Sequence, residues 1–174
     1  LQYRLSPSKR WNLSLFAKMG NDTIATQIRW DDADTCDHNK SAINLAYHPH
    51  ETGGIVNISK ADIVINDSLW NIAPSNFIDM NEGRVNISNL MFSHNRQSLR
   101  VDGYVPMNEG DTISVQLRSF DISNFDILTK SMGFDIDGFI SGDAMLSSLK
   151  ANPMLLADLN IKRLGVNGDL MGDA

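Results

Sequence analysis

Cysteine, glutamate, proline and extended apolar runs are all scarce in this chain of 174 residues. The single cysteine, Cys36, excludes an internal disulfide framework and any zinc site built from several thiolates. Basic residues number 15 against 21 acidic ones, a net charge of −6. Nucleic-acid binding needs a basic footprint and polybasic membrane docking needs a cationic cluster, and neither is present. The longest apolar runs are only a few residues, such as Met154-Leu155-Leu156-Ala157. A membrane-spanning helix needs about 20 apolar residues and a signal-peptide core about 7–15, so this stretch of sequence holds neither. The chain starts at Leu1 without an initiator Met and stops in mid-pattern at Gly172-Asp173-Ala174. It is therefore expected to be an excised piece of a longer protein whose targeting signals lie elsewhere.

Glutamate contributes three of the acidic residues and aspartate eighteen, with asparagine nearly as common as aspartate. Asp and Asn bond their own backbone in turns and compete with the helix, so long helices are disfavoured. What is abundant instead is alternation with a period of two, which places one set of side chains on each face of a strand. It runs through Leu1-Tyr3-Leu5, Trp11-Leu13-Leu15, Ile24-Thr26-Ile28-Trp30, Ile43-Leu45-Tyr47, Val56-Ile58, Ile63-Ile65, Leu69–Ile72, Val85-Ile87, Leu99-Val101-Gly103-Val105, Ile113-Val115-Leu117 and Phe134–Leu146, and closes with Leu159-Ile161 and Leu164-Val166. Turn sequences separate these runs: Lys18–Asp22, Gly53-Gly54, Asn66-Asp67, Asn81-Glu82-Gly83, Asn108–Asp111 and Asn167-Gly168-Asp169. Links this short join antiparallel neighbours, because parallel pairs need long crossovers. The expected fold class is all-β, an up-and-down antiparallel meander. One short helix is expected near 123–132, capped by the Asp121–Asn124 segment, with Phe125, Leu128 and Met132 at helical spacing and Gly133 as its stop. A single further turn is expected at Pro74–Phe77.

So little helix leaves the apolar face of about ten strands uncovered. A closed barrel, a two-layer sandwich and a sheet folded lengthwise into a trough all solve that problem, and alternation alone does not choose among them.

Motifs that carry chemistry are missing. The chain has no G-x-S-x-G elbow and no P-loop. Asp31, Asp32, Asp34, Cys36, Asp37 and His38 cluster between Trp30 and Ile43, yet they lack the central Gly and distant Glu of a calcium loop and read as a solvated connector. His48 and His50 read as turn residues, and His94 has no nucleophile nearby in sequence. Carboxylates such as Asp135 and Asp137 fall on polar strand faces. No enzyme activity, cofactor or metal is expected. Several N-x-[ST] sequons, beginning with Asn12-Leu13-Ser14, are of the kind that arises by chance in a chain rich in Asn and Ser.

Two stretches carry a resemblance. Leu69-Trp70-Asn71-Ile72-Ala73-Pro74, Gly83–Leu90 and Gln97–Gly103 form one; Asp137-Gly138-Phe139-Ile140-Ser141-Gly142, Ile161–Gly168 and Leu170-Met171-Gly172 form the other. Their order and spacing resemble the C-terminal region of the TamB family, the translocation and assembly module of Gram-negative bacteria, in the AsmA-like superfamily. The resemblance spans about residues 40–174, and residues 1–35 fit as further strands. It implies a single trough-shaped β structure over 1–174, a β-taco with an apolar interior. It implies a periplasmic protein held in the inner membrane by an anchor outside this segment. The implied role is phospholipid transport between the two membranes and support of outer-membrane protein assembly. Implied partners are a TamA-like outer-membrane protein, phospholipid acyl chains and nascent outer-membrane proteins.

Joined to the one-faced alternation, the resemblance gives a candidate lipid-lining row: Val56, Ile58, Ile63, Ile65, Val85, Ile87, Leu99, Val101, Ile113, Val115, Leu117, Ile136 and Ile140. Gly138 and Gly142 interrupt the longest strand on its apolar side and are expected to mark a bend or a close approach. The competing expectation is a closed sandwich or barrel serving as an extracellular adhesion or binding module, with a sealed core.

Overall fold

The computed structural model describes residues 2–6, 9–32, 39–65, 67–125, 129, 133, 135–150 and 152–174; for residues 2–6, 9–11 and 125 the description is of the backbone. The protein is all-β and antiparallel throughout. It divides into two compact units, Leu1–His94 and Asn95–Ala174.

The first unit holds β1 (Gln2–Ser6), β2 (Lys9–Gly20), β3 (Thr23–Asp32), β4 (Lys40–His50), β5 (Gly53–Ile65), β6 (Ser68–Ile72), β7 (Phe77–Asn81) and β8 (Arg84–His94). Each strand from β1 to β5 pairs with the next. The β5 strand then has two partners on its far side, β7 along Gly53–Val56 and β6 along Ile63–Ile65, and both pair onward with β8. The second unit holds β9 (Gln97–Tyr104), β10 (Thr112–Asp121), β11 (Ile136–Ser147), β12 (Met154–Val166) and β13 (Asp169–Gly172), paired in that order.

Short polar turns set this topology. Asn21-Asp22 and Asn167-Gly168 adopt positive φ at both positions, the mirror-image geometry that matches the twist of hairpin strands. One expected turn is displaced: the chain reverses at Glu51-Thr52, and Gly53 and Gly54 belong to β5. They suit a strand there because the Tyr47 ring lies over Gly54 and the Met80 carbonyl crowds Gly53, leaving neither room for a Cβ. Of the helix expected near 123–132, the described residues show a 3-10 turn over Ile122–Phe125, capped by the Asp121 carboxylate, which accepts from the Ser123 amide at 3.0 Å, and a helical Thr129. Most of the remaining span lies outside the described residues. Pro74-Ser75 form a turn.

Candidate functional site

In an antiparallel pair, residues directly opposite one another share a face, so the register assembles the faces. In the second unit, Val101 stands opposite Val115, Val115 opposite Ala144, and Ala144 opposite Ala157. Parallel rows run Leu99–Leu117–Gly142–Leu159 and Gly103–Ile113–Leu146–Leu155. Phe120, Ile140 and Ile161 extend the same face, and Ile136 reaches it opposite Val166. The reverse face carries Arg100, Gln116, Asp143 and Asp158 in line. There the Gln116 amide donates to Asp143 at 2.9 Å. The Arg100 guanidinium donates to Asp102 at 2.5 Å, and this hydrogen bond raises its pKa above the ordinary value.

The first unit repeats the arrangement. Met19, Ile24, Tyr47, Val56, Ile78 and Ile87 form one row across six strands. Beside it run Ala17–Thr26–Leu45–Ile58 and Leu15–Ile28–Ile43–Ala61. Ile63 stands opposite Trp70, and Val85 opposite Met80.

Every one of the thirteen candidate lining residues therefore lies on the apolar face of its own unit, six in the first and seven in the second. Ile58 and Ile63 differ in parity and would face opposite ways in a regular strand. A bulge in β5, where the register shifts against Asn44 and Leu45, brings them onto one face.

Burial along these rows is partial. All thirteen residues are half-buried. Among the described residues the buried apolar side chains are few: Ala61, Trp70, Phe120 and Pro106. Exposure grows toward the outer strands, to 63% for Leu15 on β2 and 67% for Leu155 on β12. These strands contribute apolar positions outside the candidate row: Leu15, Ile28 and Leu159 follow the same alternation, while Leu155 belongs to a run that is apolar on both faces.

Gly138 and Gly142 adopt φ of 134° and 138°, a region that side chains with a Cβ rarely enter. A Cβ on Gly142 would fall against the Asp158 carbonyl oxygen, and one on Gly138 would stand 3.0 Å from the Lys162 carbonyl. The β11–β12 register shifts across Asp137/Phe139, at Gly138, and the β10–β11 register shifts across Leu117/Phe120, beside Gly142.

The polar candidates do not converge. Asp31 and Asp32 are the last residues of β3, accepting from the side-chain amides of Asn12 at 2.7 Å and Asn39 at 3.1 Å. The rest of that acidic connector lies outside the described residues. His48 Nδ1 meets the Thr23 hydroxyl at 3.1 Å, His50 faces Asp79 at 3.5 Å, and His94 packs on Trp70 with ring centroids 5.6 Å apart. Among the described residues no group of three or more His, Cys, Asp or Glu side chains is placed to hold a metal ion. Comparison of the chain with family models, curated proteins and solved structures returns no match.

Proposed function

We propose that the apolar faces of this meander are a non-catalytic lipid-contacting surface that shelters acyl chains while head groups stay in water. The observation that carries the reading is the combination of continuous apolar rows with partial burial: thirteen aligned aliphatic residues, none of them sealed. Each methylene moved from water onto such a surface gains roughly 0.8 kcal/mol, so an acyl chain is held by many small, non-directional contacts. A row of Val, Ile and Leu offers no fixed polar group to arrest a head group, which suits passage along the face better than storage in a pocket.

The resemblance to the TamB family extends the proposal. The chain would be part of a periplasmic, inner-membrane-anchored protein with a trough-shaped interior. It would move phospholipid between the membranes and support outer-membrane protein assembly with a TamA-like partner. The test is photocrosslinking. Photoreactive residues at positions 101 and 115, exposed to phospholipid vesicles or present in a cell envelope, are expected to give lipid adducts. Positions 100 and 116, on the reverse face, are expected to give none. A folded protein without adducts at 101 and 115 would mark a sealed core and favour the closed binding module.

A further inference from the structure

On the first unit's face opposite its apolar rows, two further rows cross β4, β5, β7 and β8 at one end. One runs His50–Gly53–Asn81–Arg84, the next His48–Ile55–Asp79–Asn86. Gly53 puts no side chain between β4 and β7, and the His50 imidazole spans β5 there, with Nε2 3.5 Å from Asp79 Oδ1. Its Nδ1 lies 3.4 Å from the Thr52 hydroxyl in the adjoining turn. That hydroxyl gives its proton to Asn81 Oδ1 at 2.6 Å, so toward His50 it can only accept. Asp79 Oδ1 is buried and accepts no hydrogen bond from the described residues. Both ring nitrogens of His50 therefore face acceptors. A neutral imidazole carries one N–H and serves one of them, whereas the imidazolium carries two and serves both.

We propose that His50 is a proton-operated latch: protonated, it fastens β7 to the end of β4 and its turn, and neutral, it lets β7 go. The β7 strand is five residues long and meets β5 along Gly53–Val56 alone, so one added contact weighs on it. The two turns at this end already lie side by side, since the Glu82 amide donates to the Thr52 carbonyl at 3.2 Å. Fastening β7 also steadies Ile78, its contribution to the apolar row with Tyr47, Val56 and Ile87. The direction follows from the proton count. Histidine ordinarily changes charge between pH 5 and 8. Below that range the His50 cation pairs with the Asp79 anion, and as pH rises through it the proton and the pairing are lost together. The other charged or titratable groups around His50 are His48 on β4, Glu51 in the β4–β5 turn, Glu82 in the β7–β8 turn, Arg84 on β8 and Asp22 beyond Thr23; β5 presents Gly53 and Ile55 and no charge. Of these, His48 titrates over the same range, but its Nδ1 meets Thr23 on β3, away from β7. The inference concerns the polar end of the first unit and does not rest on the lipid reading.

Amide hydrogen exchange of the 174-residue chain tests it, measured at about pH 5.5 and about pH 8, either side of the histidine range, and expressed as protection relative to the unstructured rate at each pH. The β7 amides are expected to be about two- to fivefold less protected at the higher pH, the scale of a partly exposed ion pair. The β10 amides serve as the internal reference, because the second unit contains no histidine, and their protection should not change. His50→Gln removes the titrating group and Asp79→Ala removes its acceptor, and each should abolish the dependence at β7. His48→Gln should retain it. Equal protection of β7 in the wild-type chain at the two pH values, a change shared equally by β10, a dependence that survives His50→Gln or Asp79→Ala, or one that His48→Gln removes would each overturn the proposal.

Discussion

Asn76 shows how one side chain can stand in for a strand. Along its outer side β5 passes from β7 to β6, and Ile58 falls in the gap between those partners. The Asn76 side chain fills it: its Oδ1 accepts from the Ile58 amide at 3.0 Å, and its Nδ2 donates to the carbonyls of Ile58 at 3.0 Å and Ala73 at 2.6 Å. The Asn57 side-chain amide donates to the Asn76 carbonyl. With Asn76 only 1% exposed, water cannot replace these bonds. Asn76→Ala is expected to cost about 2–4 kcal/mol, because it leaves buried donors and acceptors unpaired. Asn76→Asp should be no milder, since it sets an anion against two carbonyls; chemical denaturation of both variants checks the pair. Nothing in the sequence singles this asparagine out from its neighbours, because its role depends on two strands brought together by the fold. Gly142 was legible as an interruption of alternation, and its reason is backbone conformation plus the nearby Asp158 carbonyl. Gly142→Val should lower the melting temperature clearly, by the equivalent of about 1–3 kcal/mol or more. A neutral result would remove the claim of strain.

Strands were easier to read than their irregularities. Alternation located nearly every strand and its apolar side, and the Asn- and Asp-rich turns located the reversals. What it left unread was phase. Apolar residues step by three instead of two at Ile58–Ala61, Ile87–Leu90, Leu117–Phe120 and Ile161–Leu164. Between them lie Ser59 at the β5 register shift, and Asn89, Ser119 and Arg163 with φ of 49°, 42° and 55°. An extra residue at each point keeps the following apolar side chains on the same face, which is what a bulge does to a strand. The three-residue step was present in the sequence, but it also resembles helical spacing and so does not announce itself. The outer strands were underread for a different reason: Met154–Ala157 has apolar residues on both faces, so alternation fails there. The unit boundary at His94/Asn95 falls at an ordinary turn, with no change of composition to mark it. Deleting Ser119 tests the phase argument. The bulge would close, and Leu117, Arg118 and Phe120 would alternate regularly against Gly142, Ser141 and Ile140, so Phe120, now 4% exposed, would keep the apolar face. The loss should therefore stay below the ~2 kcal/mol that turning a large apolar side chain to water would cost. Ser119→Gly keeps the count of residues and relieves the positive φ, so it should also leave stability nearly unchanged; thermal melts of the two variants check this, and a larger loss in the deletion would overturn the phase argument.

Across the whole chain, each unit spends its apolar residues on a face it does not close, and a single introduced charge distinguishes that from a sealed core. Val115 is the most informative position. It lies mid-strand between Val101 and Ala144, on a face with no fully buried residue closer along β10 than Phe120. In a sealed core Val115→Asp would strand a carboxylate without a partner, cost several kcal/mol and unfold a domain of ordinary stability. On a face with half-buried neighbours the carboxylate reaches water. The expected loss is then limited to about 1–3 kcal/mol of apolar burial, and the strand signal in circular dichroism should persist. Lipid contact should respond more strongly than stability, because an acyl chain lying along the row would have to desolvate the new charge to pass it. Photocrosslinking from position 101 in the Val115→Asp background should therefore yield much less lipid adduct than in the parent, while Gln116→Asp, one residue on and on the polar face, should leave the yield unchanged. Unfolding of Val115→Asp together with an intact Gln116→Asp would place Val115 in a closed core. Equal adduct yields from the two folded variants would separate the apolar row from any path taken by lipid.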